Sequence, residues 1–105
     1  MNCYINKFGD KFYLKEDIID GQYHLYLING IYHLTNKDHT INYLIHREDG
    51  PAIESCLFKA WIVNGKQHRD NGPAIEYSNG NKYWFYNGEE IYCNDNDVFL
   101  KIINQ

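Results

Sequence analysis

Apolar and polar residues alternate in short runs through most of the 105-residue chain, and Asn-Gly, Gly-Pro or Asn-rich turns interrupt the runs. Alternation with a period of two is the mark of strands with one face buried. Lys82-Tyr83-Trp84-Phe85-Tyr86 is the clearest case, with Tyr83 and Phe85 on one face and Trp84 and Tyr86 on the other. Pro73-Ala74-Ile75-Glu76-Tyr77 precedes it as the partner strand, joined through Ser78-Asn79-Gly80-Asn81. Asn-Gly pairs at 29–30, 64–65 and 87–88 stand between aromatic and β-branched residues. They predict two-residue type I′ hairpins, which require positive φ at both central positions. Phe8-Gly9-Asp10-Lys11-Phe12-Tyr13-Leu14 reads as a further strand pair. Near the end the period changes: Asn94-Asp95-Asn96-Asp97 supplies capping residues, and Phe99, Ile102 and Ile103 form a stripe at helical spacing. One short C-terminal helix is predicted over 94–104, and a second helical turn around Leu14 to Ile19.

The hairpins repeat. His46-Arg47-Glu48-Asp49-Gly50-Pro51-Ala52-Ile53-Glu54 returns 22 positions later as His68-Arg69-Asp70-Asn71-Gly72-Pro73-Ala74-Ile75-Glu76. Trp61-Ile62-Val63-Asn64-Gly65 returns 23 positions later as Trp84-Phe85-Tyr86-Asn87-Gly88, the slip falling in a turn. Tyr26 to His33 is a fainter copy of the aromatic-x-x-Asn-Gly-x-x-His plan. The chain therefore divides into divergent strands at 1–25, a degenerate repeat at 26–45, repeats at 46–67 and 68–92, and a capping helix at 94–104. All belong to one domain, 1–105. The expected fold class is mainly β: a single elongated antiparallel sheet of tandem hairpins in which each unit chiefly contacts its neighbours. In each unit Gly-Pro is expected to provide a φ-flexible residue before a strand, with Arg47 paired to Asp49 and Arg69 to Asp70 across the loop.

The Trp-x-x-Asn-Gly-x-x-His-Arg-x-x-Gly-Pro-Ala pattern resembles a divergent MORN-like repeat of the kind found in phages and giant viruses. The resemblance spans roughly Tyr26 to Asn104 and is most specific over Ile45 to Gly88. It implies a hairpin array used for contact with a protein or lipid surface, and it brings no catalytic residues with it.

Composition narrows the function classes. A formal net charge of −4 leaves no basic stripe to displace counterions from a phosphate backbone, which argues against direct nucleic-acid binding. No run approaches the roughly 20 apolar residues of a membrane-spanning helix. The first residues show neither a basic nor an apolar signal region. Cys3, Cys56 and Cys93 are odd in number and form no CxxC pair, so a reducing, cytoplasmic setting is expected.

The five histidines invite a metal or acid–base hypothesis. Equivalent residues of stacked hairpins stand two strands apart, roughly 10 Å. Zinc–imidazole bonds of about 2.0–2.1 Å cannot span that distance. The same spacing keeps identical groups from converging on one reacting atom. The expectation is a non-enzyme with no cofactor, no metal site and no catalytic residue. The candidate binding residues are Trp61, Trp84, Tyr86, His46, Arg47, His68 and Arg69. The leading expectation is a protein-binding module, in its sharpest form a phage or viral inhibitor of a host defence factor. Two alternatives stand beside it: a protein that sequesters an anionic nucleotide, with Trp61 or Trp84 stacked on the base, and a homo-oligomer joined through open sheet edges.

Overall fold

A computed structural model describes residues 2–105; Met1, the first residue of the expected N-terminal unit, lies outside the described residues. The fold is mainly β, with antiparallel strands and one C-terminal helix, and it is elongated at 43 × 26 × 23 Å. In chain order the elements are β1 (Cys3–Ile5), β2 (Lys11–Tyr13), β3 (His24–Ile28), β4 (Ile31–Thr35), β5 (Asn42–Leu44), β6 (Ile53–Glu54), β7 (Phe58–Ala60), β8 (Ile62–Val63), β9 (Lys66–Gln67), β10 (Ile75–Tyr77), β11 (Lys82–Tyr86), β12 (Glu89–Ile91) and α1 (Asn96–Ile103). Seven strands form the large antiparallel sheet, in the order β1-β2-β6-β7-β10-β11-β12. Beside it lie a three-stranded sheet, β3-β4-β5, and the two-stranded ribbon β8-β9. The hairpins thus share out among three sheets.

The turns follow the sequence. Asn29, Asn64 and Asn87 all have φ near 51°, and Gly30, Gly65 and Gly88 follow at 76–84°. Only Asn, Asp and Gly adopt such angles at little steric expense. The Gly-Pro pairs behave differently. Neither Gly50 nor Gly72 has positive φ, so conformational freedom is not what fixes them. A Cβ on Gly50 would meet the Arg47 guanidinium carbon at 3.0 Å, and one on Gly72 would meet that of Arg69 at 2.9 Å. The glycines are seats for arginine heads. The alanines that follow, Ala52 and Ala74, are fully buried. Their carbonyls accept from Tyr13 N–H at 2.8 Å and Trp61 N–H at 2.7 Å, stitching each unit to the one before.

These equivalent bonds place the N-terminus in the repeat. His46 N–H donates to the Tyr13 carbonyl as His68 N–H does to the Trp61 carbonyl. The Leu14↔Ile45 bridge matches the Ile62↔Gln67 pair. Tyr13 is therefore the counterpart of Trp61, and β1-β2 the counterpart of β6-β7. Residues 15–44 are an insertion, holding β3, β4 and β5, where the next unit has only Val63-Asn64-Gly65-Lys66.

The main core joins both parts: Phe12 and Ile53 from the large sheet, Tyr23, Leu34 and Tyr43 from the insertion, and Leu14, Ile45 and Ile62 between them. Burial of each such side chain stabilises the fold by about 1.5–3 kcal/mol. The expected helical turn at Leu14 to Ile19 does not form. Leu14 bridges Ile45, with its N–H given to Asn2 O at 2.7 Å and that of Lys15 to Leu44 O at 3.2 Å, so the start of the segment is held as extended backbone. The segment beyond is pinned by tyrosines: Ile19 N–H donates to Tyr43 Oη, and Tyr23 Oη donates to Ile19 O.

Helix α1 closes the other end. Asp95 is its N-cap, accepting from Val98 N–H at 2.9 Å. Of the predicted stripe Phe99 is fully buried and Ile103 half-buried, while Ile102 remains on the surface.

Candidate functional site: the groove between the repeat loops

Each His-Arg-x-x-Gly-Pro loop is built from the same contacts. Arg47 lies over the Tyr13 ring at 4.0 Å and donates to Pro51 O at 3.2 Å. Arg69 lies over the Trp61 ring at 3.8 Å and donates to Pro73 O at 3.1 Å. Glu54 and Glu76 approach the two guanidiniums at 3.5 and 3.6 Å. The loops differ in their acids. Arg47 donates to Asp49 at 2.9 Å, as expected. Arg69 does not pair with Asp70; Asp70 instead binds His68 Nε2 at 2.8 Å, the place Glu48 takes beside His46 at 3.6 Å. The register explains the correction, since Asp70 is the counterpart of Glu48, and Asn71 stands where the first loop has Asp49.

The histidines brace the next turn. Asn64 N–H donates to His46 Nδ1 at 2.8 Å, and Asn87 N–H donates to His68 Nδ1 at 2.9 Å. An Nδ1 that accepts leaves the ring proton on Nε2, facing the carboxylate. Each repeat His thus ties a carboxylate on its own loop to the Asn-Gly turn of the following hairpin. Sequence spacing does not name these partners, which lie 18 and 19 residues away.

Between the two loops runs an open groove of about 600 Å³, lined by Arg47, Glu48, Asp49, Gly50, Trp61, Val63, His68, Arg69, Asp70 and Asn71. Of the candidate residues it brings together Arg47, Trp61, His68 and Arg69. His46 faces a smaller depression with Tyr13 and Asn2. Tyr86 packs against His68 at 4.7 Å. Trp84 is 6% exposed, and its Nε1–H donates to Asn96 Oδ1 of α1 at 2.8 Å. It is therefore held against α1 and not open to a ligand base. Trp61 is half-buried, one face occupied by Arg69.

The sign of the groove follows from which groups project. Glu48, Asp49 and Asp70 side chains are 79%, 87% and 77% exposed, while Arg47 and Arg69 are recessed at 24% and 26%. Of the groups that line the groove, three projecting carboxylates therefore stand around two recessed guanidiniums. The Arg47 bond holds the Asp49 carboxyl below its ordinary value, so it is a firm anion. Burial opposes the Arg47 charge, but the bond to Asp49 and the nearby Tyr13 and Glu54 outweigh it, and its pKa rises. The rim is acidic.

Among the described residues no group of three or more His, Cys, Asp or Glu is arranged to hold a metal ion. Cys3, Cys56 and Cys93 are free thiols, with Cys3 and Cys93 pushed up by burial. No helix among the described residues is long and apolar enough to cross a membrane.

Comparison with protein-family models, with curated proteins and with solved structures finds no match to this chain.

Proposed function

We propose that this chain is a non-enzymatic protein-binding module of MORN-like repeat type, whose acidic groove receives a partner segment carrying Lys or Arg. The observation that supports this reading is the arrangement of charge: guanidiniums spent inside the scaffold, carboxylates projecting from it. A basic partner would be steered toward such a rim and held by charge-assisted bonds. The repeat pattern extends the reading to a phage or giant-virus protein acting in the host cytoplasm on a host defence factor. His68, the one imidazole in the groove, has both ring nitrogens engaged, which argues against acid–base catalysis there. The nucleotide-sequestering alternative loses its support on the same grounds, since an anion would meet the carboxylates before either guanidinium.

Affinity capture from host lysate tests the reading. The wild type should retain a stoichiometric protein at about 0.1 M salt and release it near 1 M, where the Debye length falls from roughly 10 to 3 Å. Glu48→Gln with Asp70→Asn should retain much less. Absence of any stoichiometric partner, or equal capture by the variant, overturns the proposal. A thermal shift with a nucleotide panel that raises the melting temperature would favour the sequestering alternative instead.

A further inference from the structure

We infer that β3 is an edge through which two copies of this chain pair, continuing β3-β4-β5 into a six-stranded antiparallel sheet. The inference concerns the insertion and does not depend on the groove. β3 is five residues long, whereas the outer strands β1, β5 and β12 have three each, and β12 carries Glu89 and Glu90. His24-Leu25-Tyr26-Leu27-Ile28 holds no Lys, Asp, Glu or Pro, the residues that ordinarily protect an edge. Leu25, Tyr26, Leu27 and Ile28 are 37–52% exposed.

The register decides which backbone groups are free. Leu27 pairs with Tyr32 and Leu25 with Leu34. Tyr32 N–H is given to Gly65 O, and Tyr32 O accepts from Ile45 N–H, so both point away from β3. In an antiparallel ladder the partner residue then also points outward. Leu27 and, two residues back, Leu25 therefore present their N–H and C=O to the outer edge. Placed about a two-fold axis at Tyr26, Leu25 of one copy faces Leu27 of the other. Each such pair exchanges both bonds, giving four hydrogen bonds, with Tyr26 opposite Tyr26 as the central non-bonded pair. The strand is complementary to itself, which is why the occupant is a second copy.

The four exposed side chains offer on the order of 300–400 Å² per copy, well under the roughly 800 Å² per partner of a stable complex. The net charge of −4 opposes association as well. The dimer is therefore weak and reversible, of the transient class rather than the obligate one.

Sedimentation velocity from about 5 to 500 µM should show the weight-average mass rising toward twice 12.5 kDa. Leu27→Pro removes the outward N–H while sparing the donors that β3 gives to β4, and should keep the protein monomeric; Leu27→Lys, which leaves the backbone intact, should do the same with an unchanged melting temperature. With Cys3, Cys56 and Cys93 replaced by Ser, Tyr26→Cys should cross-link to itself on mild oxidation and Ile28→Cys should not. A monomer throughout, a dimer indifferent to both Leu27 variants, or preferential cross-linking at Ile28→Cys overturns the inference. Glu48→Gln with Asp70→Asn should dimerise as the wild type does, which separates this test from that of the groove.

Discussion

Gly72→Ala should destabilise the protein although Gly72 lies outside the positive-φ region. The new Cβ would sit 2.9 Å from Arg69 Cζ, 3.0 Å from Nη1 and 3.1 Å from Nε. The guanidinium has no slack, since the Trp61 ring lies 3.8 Å away and Pro73 O holds Nη1 at 3.1 Å. Displacing it forfeits a charged hydrogen bond of about 1.5–3 kcal/mol and a cation–π contact of about 0.5–2 kcal/mol, while reduced unfolded-state entropy returns about 0.4–1 kcal/mol. The expected net loss is about 1–4.5 kcal/mol, centred near 2.5, or roughly 10–20 °C in melting temperature. Urea unfolding followed by Trp fluorescence measures it, and a double-mutant cycle tests the cause. In an Arg69→Ala background the obstruction is gone, so Gly72→Ala should be neutral or slightly stabilising. An equal loss in both backgrounds refutes the reasoning and returns the glycine to a backbone role.

Three further outcomes follow from the same contacts. His68→Ala removes the acceptor of Asn87 N–H and the partner of Asp70, so about 0.5–1.5 kcal/mol of stability should disappear, with local amide exchange at Asn87 rising before that of the core. Asn96→Leu removes the acceptor of the Trp84 indole and should cost about 1–3 kcal/mol, with the near-ultraviolet Trp signal altered while β-sheet content is kept. Asp49 is held below its ordinary carboxylate value in the folded state, so its contribution is complete above the unfolded value of about 3.9 and is lost as pH falls through the lower folded value. Asp49→Asn should therefore show a shallower acid loss of stability than the wild type, and an identical acid limb would refute the assignment.

Much of the architecture is legible in the sequence because it rests on local rules. Asn29, Asn64 and Asn87 declare their turns through a φ that few residues tolerate, and Asp95 declares the helix through its cap. What could not be read depends on contacts between distant residues. Tyr13 shares no sequence signature with Trp61, because 30 inserted residues separate it from the His-Arg loop it supports; only equivalent hydrogen bonds reveal the match. Trp84 and Trp61 look alike in sequence, yet one is sealed by α1 and the other by an arginine. Candidate residues chosen for their chemistry, Arg47, Arg69, His46 and His68, prove to spend that chemistry on the scaffold. The acids beside them face outward, because at each loop the inward bonding positions are already taken.

If the array and the insertion are separable, the molecule should survive exchange of residues 15–44 for Val-Asn-Gly-Lys. The bridge Leu14↔Ile45 has the geometry of Ile62↔Gln67, so a four-residue hairpin fits the gap. The exchange removes Tyr23, Leu34 and Tyr43 from the core, about 5–9 kcal/mol of gross burial. It also removes a net 26 residues, and with them both their ordering entropy and the ladders of β3, β4 and β5. The bonds that join β1-β2 to the following unit, Tyr13 N–H to Ala52 O and His46 N–H to Tyr13 O, lie outside the exchanged segment, so the shortened chain should still fold, with exposed Ile45 and Ile62 making it less soluble. Circular dichroism should retain the sheet and the Trp84–α1 environment, while concentration-dependent mass should vanish along with β3. A shortened chain that folds and still dimerises would locate self-association elsewhere; one that fails to fold would show that the insertion is an inseparable part of the core.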